Sequence, residues 1–130
     1  ELGGCGASNT SAIGISGYAG PPGYTANAET WDGSSWTEVG NVNTARAALA
    51  ASGRVSGALA FGGDTPSVTG ATENYNGSSW SEVADLASAR SRLAASATSG
   101  VSALAFSGNP ATTATEEFTA DATLSTVTLS

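Results

Sequence analysis

At 130 residues the chain has the length of one compact domain, and its composition is unusual: 17 glycines, no lysine, histidine or methionine, 12% charged residues and a net charge of −7. Four arginines against eleven acids cannot supply the cationic footprint that nucleic acid or an anionic membrane surface attracts. No segment reaches the roughly 20 apolar residues that cross a bilayer, so neither nucleic-acid binding nor membrane insertion is expected.

Histidine-dependent chemistry is excluded as well: Ser-His-Asp hydrolysis and His-ligated zinc or copper sites need a residue that the chain lacks. The single Cys5 rules out an internal disulfide and any multi-cysteine metal motif; it reads as a small apolar residue rather than a nucleophile. No catalytic residue, metal site or cofactor is expected.

In chain order, Leu2 to Ala7 reads as a first strand and Ala12-Ile13-Gly14-Ile15 as a second, ending in Ser16-Gly17. A loop is expected from Tyr18 to Asn27, then a strand at Glu29-Thr30-Trp31. Asp32-Gly33 signals a hairpin in which both central residues take positive φ, leading into Trp36 to Val39. The same order returns after a connector, Asn41 to Arg46. Leu49 to Gly53 is a strand, Arg54 to Gly57 a turn, and Ala58 to Phe61 a strand before Gly62-Gly63. A variable loop from Asp64 to Gly70 follows, then Thr72 to Tyr75, the Asn76-Gly77 turn and Trp80 to Val83. A second connector, Asp85 to Arg92, opens a third copy containing Ala103 to Phe106, Ser107-Gly108, a loop from Asn109 to Ala114, and Glu116-Glu117-Phe118. Thr119 to Ser130 reads as a closing strand that lacks the repeat's Trp.

Trp36 and Trp80 lie 44 residues apart and Phe61 and Phe106 lie 45 apart, so the chain is a three-fold internal repeat. The units run from about 1 to 42, 43 to 86 and 87 to 130 within a single domain of 1 to 130. Alternating small and large residues in Ala-Leu-Ala-Phe suit an all-β propeller, where small side chains let sheets approach near the axis and larger ones fill the widening wedge.

The glycine doublet, the variable loop, the acidic-x-aromatic strand, the Trp about five residues on, and Arg46 or Arg90 before the next copy together resemble the kelch repeat. The Asn-Gly-Ser-Ser-Trp and Thr-Ala-Arg segments are similar in style to kelch-like repeats in structural proteins of marine bacteriophages. The resemblance implies a β-propeller of four-stranded blades, three to this chain. Three blades leave two apolar faces uncovered, and a ring normally takes four to eight. A six-bladed ring closed by a second chain, as a homodimer or other homo-oligomer, is therefore expected; the alternative is that the chain is the C-terminal half of a longer propeller.

Residues present in every unit read as packing. Arg46 and Arg90 read as ties between a connector and backbone carbonyls, or else as carboxylate-gripping ligand residues. Glu29, Glu73 and Glu116 read as partners of backbone or arginine rather than catalytic acids. Ligand recognition is expected on the loop face, through Tyr18, Tyr24, Asn27, Asp64 and Asn109 with Arg46 and Arg90, and above all on the Tyr18 to Asn27 segment, where prolines hold amphipathic tyrosines. Asn9 and Asn76 match the N-glycosylation pattern. The function expected is a non-catalytic extracellular or virion-surface module that binds a glycan or protein, or, in the other class, a structural subunit of an appendage, filament or phage tail.

Overall fold

The computed structural model describes residues 1–21, 23–97 and 99–119 and the backbone of Ser125–Val127. Every regular element among them is a β-strand. Sheet I contains β1 (Gly3–Ser8), β2 (Ser11–Tyr18), β3 (Tyr24–Trp31) and β4 (Trp36–Val39). Sheet II contains β5 (Ala50–Arg54), β6 (Gly57–Asp64), β7 (Val68–Tyr75) and β8 (Trp80–Val83). Sheet III contains β9 (Ala94–Ser96), β10 (Ser102–Phe106), β11 (Thr115–Thr119) and β12 (Ser125–Val127). Each sheet is an antiparallel meander, its strands hydrogen-bonded in chain order. The all-β expectation is met, and each repeat unit forms one sheet.

Register makes the three units superimposable. Gly14 pairs with Glu29, Ala60 with Glu73 and Ala105 with Glu116. The residue after β2's Ile15, β6's Phe61 and β10's Phe106 takes a left-handed conformation in every sheet: Ser16 (φ 55°), Gly62 (φ 58°) and Ser107 (φ 62°). A Cβ at Gly62 would collide with the Arg90 carbonyl oxygen. Glycine is therefore required in sheet II, whereas Ser16 turns its hydroxyl to use: its oxygen lies 2.7 Å from the Thr25 carbonyl oxygen and 2.6 Å from that of Arg46, its one proton serving either, and it accepts from the Arg46 amide (3.0 Å).

The hydrophobic core lies between sheets. Ile13, Ile15 and Ala28 of sheet I pack with Leu49, Ala58, Ala60, Tyr75 and Trp80 of the second unit. The other side of sheet II presents Leu59 and Phe61 to Leu93, Ala103, Ala105 and Phe118 of the third. Phe61 and Phe118 meet edge to face at 6.4 Å. Period-2 alternation thus points successive residues of Ala58-Leu59-Ala60-Phe61 at two different neighbours. The missing side chain at Gly3 of β1 allows close approach to the second unit, since a Cβ there would overlap the Leu49 side chain just ahead of β5.

Three sequence expectations are corrected. The Asp32-Gly33 and Asn76-Gly77 loops are not two-residue turns with two positive φ values; only Gly33 (φ 100°) and Gly77 (φ 95°) are positive. Asp32 Oδ1 instead accepts from the amides of Ser34 (2.8 Å) and Ser35 (2.9 Å), and Asn76 Oδ1 accepts from those of Ser78 and Ser79 (2.9 Å each), making four-residue Asx-type loops. The loop expected from Asp64 to Gly70 shrinks to Thr65–Ser67, because β6 runs on to Asp64, whose backbone exchanges two hydrogen bonds with Ala47 (2.8 and 3.0 Å). Within the segment expected as a loop from Tyr18 to Asn27, Tyr18 closes β2 and Tyr24 to Asn27 open β3. Pro22, Thr98, 120–124 and 128–130 lie outside the described residues; of the expected closing strand, Ser125–Val127 pairs with β11.

Candidate functional site

The connectors between sheets are organised by two equivalent ion pairs. Arg46 Nη1 donates to Glu73 Oε1 at 2.6 Å, with both side chains fully buried. Arg46 Nη2 donates to the Ala60 carbonyl (3.4 Å) and Nη1 also to that of Thr44 (3.2 Å). Glu73 accepts in addition from the amides of Asn43 (2.7 Å) and Thr44 (3.2 Å) and from Asn43 Nδ2 (2.9 Å). One unit on, Arg90 Nη2 reaches Glu116 Oε1 at 2.9 Å and the Ala105 carbonyl at 3.4 Å, and Glu116 accepts from the Ala87 amide at 2.7 Å. Each carboxylate gathers the start of a connector, and each arginine ties its end back to the middle of the sheet. Both ions are compensated by charge and by hydrogen bonds, the condition under which buried charge is tolerated.

Arg46 and Arg90 therefore hold connectors and present no guanidinium to the loop face. Of the other residues expected there, Tyr18 and Tyr24 face each other across the last rung of the β2–β3 ladder. Their rings meet edge to face at 5.7 Å, and Tyr18 is 53% exposed. Asn27 is exposed and donates to Glu38 Oε1 at 3.1 Å. Asp64 and Asn109 occupy equivalent places in sheets II and III, where Asn109 exchanges backbone hydrogen bonds with Ser91 (2.7 and 2.9 Å) as Asp64 does with Ala47. Asp64 and Asn109 are thus held by their backbones beside the connectors, one sheet apart, while the tyrosine pair stands on sheet I.

Beside that pair, the outer face of sheet I carries an open groove of about 590 Å³ lined by Ser16, Tyr18, Asn27, Glu29 and Trp36 among others. Neither Glu29 nor Trp36 was singled out from sequence as a ligand residue, because both are repeat positions. What distinguishes them is location. Trp36 is 53% exposed whereas its equivalent Trp80 is 6% exposed, and Glu29 is exposed whereas Glu73 is fully buried. The same contrast marks the opposite end: Leu104 of sheet III is 40% exposed, whereas its equivalent Leu59 is fully buried.

Cys5 is partly buried against the core between sheets I and II, and this burial raises its thiol pKa to about 11. No cluster of three or more metal-ligating side chains exists among the described residues, and no helix among them is long and apolar enough to cross a membrane.

These features define an all-β chain of three equivalent four-stranded antiparallel sheets, pinned by buried Arg–Glu pairs and open at both end faces. No protein-family profile and no curated protein matches the chain. Among solved structures, that of YjhT is similar, with a TM-score of 0.76 and 15% identity, covering 98% of this chain and 44% of the YjhT chain. At that identity the likeness is one of fold, and this chain spans less than half the length of YjhT.

Proposed function

We propose that this chain is a non-catalytic binding module built as an arc of a kelch-type β-propeller, its three sheets serving as blades and its ring completed by a second chain. One observation carries the reading: the residues at the two ends of the arc are exposed where their equivalents inside it are buried, Trp36 against Trp80 and Leu104 against Leu59. A soluble chain rarely leaves such faces bare. Two arcs related by a two-fold axis would cover both faces of each and give six blades. Native mass spectrometry tests the reading. A two-chain species is expected, and a stable single chain at micromolar concentration would overturn it.

The ligand of the completed ring would be a cell-surface glycan or protein at an extracellular or virion surface. The Tyr18–Tyr24 pair, with Tyr18 exposed and Tyr24 half-buried, favours this class, because edge-to-face tyrosines offer an apolar platform with polar tips. A glycan array probed with wild type and with Tyr18→Ala would show binding lost in the variant. The second reading, a structural subunit of an appendage, filament or phage tail, is favoured by the same open end faces. A head-to-tail contact that fails to close yields a filament rather than a ring, and negative-stain images separate the two forms.

A further inference from the structure

Each junction between neighbouring sheets carries a cleft at the end opposite the Tyr18–Tyr24 pair, where the Asx-type loops lie. The cleft between sheets I and II measures about 380 Å³ and that between sheets II and III about 360 Å³. Each forms where two sheets of the chain meet, so its shape is set by neighbours already in place.

The two junctions differ in what spans them. Between sheets II and III, the Asn74 side-chain amide crosses to the Gly100 carbonyl. At the equivalent place facing sheet II stands Thr30, paired with Thr37 as Asn74 is with Ser81. Thr30 is too short to cross, and its hydroxyl turns back to the Thr37 carbonyl of its own sheet (3.5 Å).

The cleft between sheets I and II is therefore left with polar groups that the fold does not use. Tyr75, only 1% exposed, walls it from sheet II, and among the described residues no hydrogen bond engages its hydroxyl. A buried tyrosine hydroxyl ordinarily has a partner, because an unpaired one loses its hydration without return. The Thr37 hydroxyl on the facing wall is likewise unengaged among the described residues. At the rim, Asp32 Oδ1 takes three donors from Ser34 and Ser35, whereas Oδ2 receives only the Ser35 hydroxyl, at 3.3 Å. Val39 and Val55 supply apolar surface between these groups.

We infer that this cleft binds one neutral sugar residue, with the C–H face of its ring on Val39 and Val55 and its hydroxyls on Tyr75, Thr37 and Asp32. The mixture of groups sets the class. Two hydroxyls that donate and accept, a carboxylate that only accepts, and an apolar wall match a ligand whose polar groups are hydroxyls on a carbon frame. The volume falls at the lower end of the range for small-molecule sites, about 300–1,000 Å³, which suits one ring rather than a chain. A metal ion would find a single carboxylate there, and no cluster of ligating side chains exists among the described residues. Asp32 and the net charge of −7 disfavour acidic sugars. The site is separate from the tyrosine pair and holds whether or not a second chain closes a ring.

The test is a titration of the nitrogen-labelled chain with the methyl glycosides of glucose, galactose, mannose and N-acetylglucosamine, and with glucuronate as the acidic control, followed by amide chemical shifts. Saturable shifts at Ser34, Ser35, Thr37 and Tyr75 are expected with at least one neutral sugar and not with glucuronate. Tyr75→Phe and Asp32→Asn should each weaken that binding roughly fivefold to tenfold, the worth of one hydrogen bond. Since the Tyr75 hydroxyl has no partner in the free protein, Tyr75→Phe should leave the melting temperature unchanged or raise it. A lowered melting temperature would mean that the hydroxyl serves the fold, and would overturn the assignment. So would undiminished binding by Tyr75→Phe, glucuronate binding as tightly as the neutral sugars, or no shifts at the cleft with any of them. Shifts confined to Tyr18 and Tyr24 would support the tyrosine pair as a glycan site while ruling out this one.

Discussion

The guanidinium of Arg46 and the carboxylate of Glu73 lie 2.6 Å apart, 27 residues distant in sequence, with neither side chain exposed. Removing one partner strands a buried charge together with the connector donors or the Ala60 carbonyl that it engaged. Arg46→Met or Glu73→Leu is therefore expected to cost about 3–5 kcal/mol of unfolding free energy. The double substitution should cost less than the sum of the two, because no lone charge remains. Urea titration of the four species measures the coupling, and additive losses would show that the pair does not act as a unit.

That pair also marks the limit of what the sequence discloses. The recurrence of Arg46 and Arg90, and of Glu73 and Glu116, reads as structural without coordinates, because a residue kept at the same place in every unit serves the unit. Which acid meets which base does not follow from spacing, since contact across a sheet depends on register. Strand identity was legible from alternation and from the Gly-Ser-Ser-Trp segments, and Trp80–Val83 is placed as expected. The loop at Asp32 departs from an Asp-Gly hairpin because its carboxylate captures the amides of the two serines behind the glycine. Of the groove on sheet I, Tyr18 and Asn27 were legible as loop-face residues, but Glu29 and Trp36 were not. Those two are repeat residues, and only the exposure of one end sheet distinguishes them.

Hydrogen bonds from the amides of Ser35 and Ser34, and from the Ser34 hydroxyl, hold the Asp32 carboxyl pKa at about 2, below the 3.8 usual for aspartate. The unfolded chain thus takes up this proton first as pH falls, so the contribution is present above about pH 4 and is lost as pH drops through 2. Asp32→Asn, the arrangement already present at Asn76, should keep the loop and remove this acid dependence. Melting temperatures of the two proteins should differ more at pH 5 than at pH 2. A difference that grows on acidification would contradict the assignment.

Burial against the core raises the Cys5 thiol to about 11, so the thiolate fraction at pH 8 is about one in a thousand. Alkylation by iodoacetamide at pH 8 should be far slower in the native protein than in urea, and unfolding should restore the rate. Equal rates in the two conditions would place the thiol outside the packed region.

Trp36 and Trp80 hold the same register position, each opposite the aromatic that ends the neighbouring strand, Trp31 at 5.4 Å and Tyr75 at 5.0 Å between ring centroids. Identical chemistry in two environments makes a paired experiment possible. Trp80→Ala opens a cavity in the core between sheets I and II and should lower stability by about 3–5 kcal/mol. Trp36→Ala removes a half-exposed ring from the end face, and in dilute solution, where chains are single, it should cost no more than about 1 kcal/mol. If two chains close a ring as proposed, the ranking changes in kind at concentrations where they would associate. Trp36→Ala is then expected to weaken assembly, read as a shift toward the single-chain mass, while Trp80→Ala lowers the melting temperature at every concentration. If Trp36→Ala left assembly untouched, sheet I's outer face would not be the surface on which a second chain closes the ring.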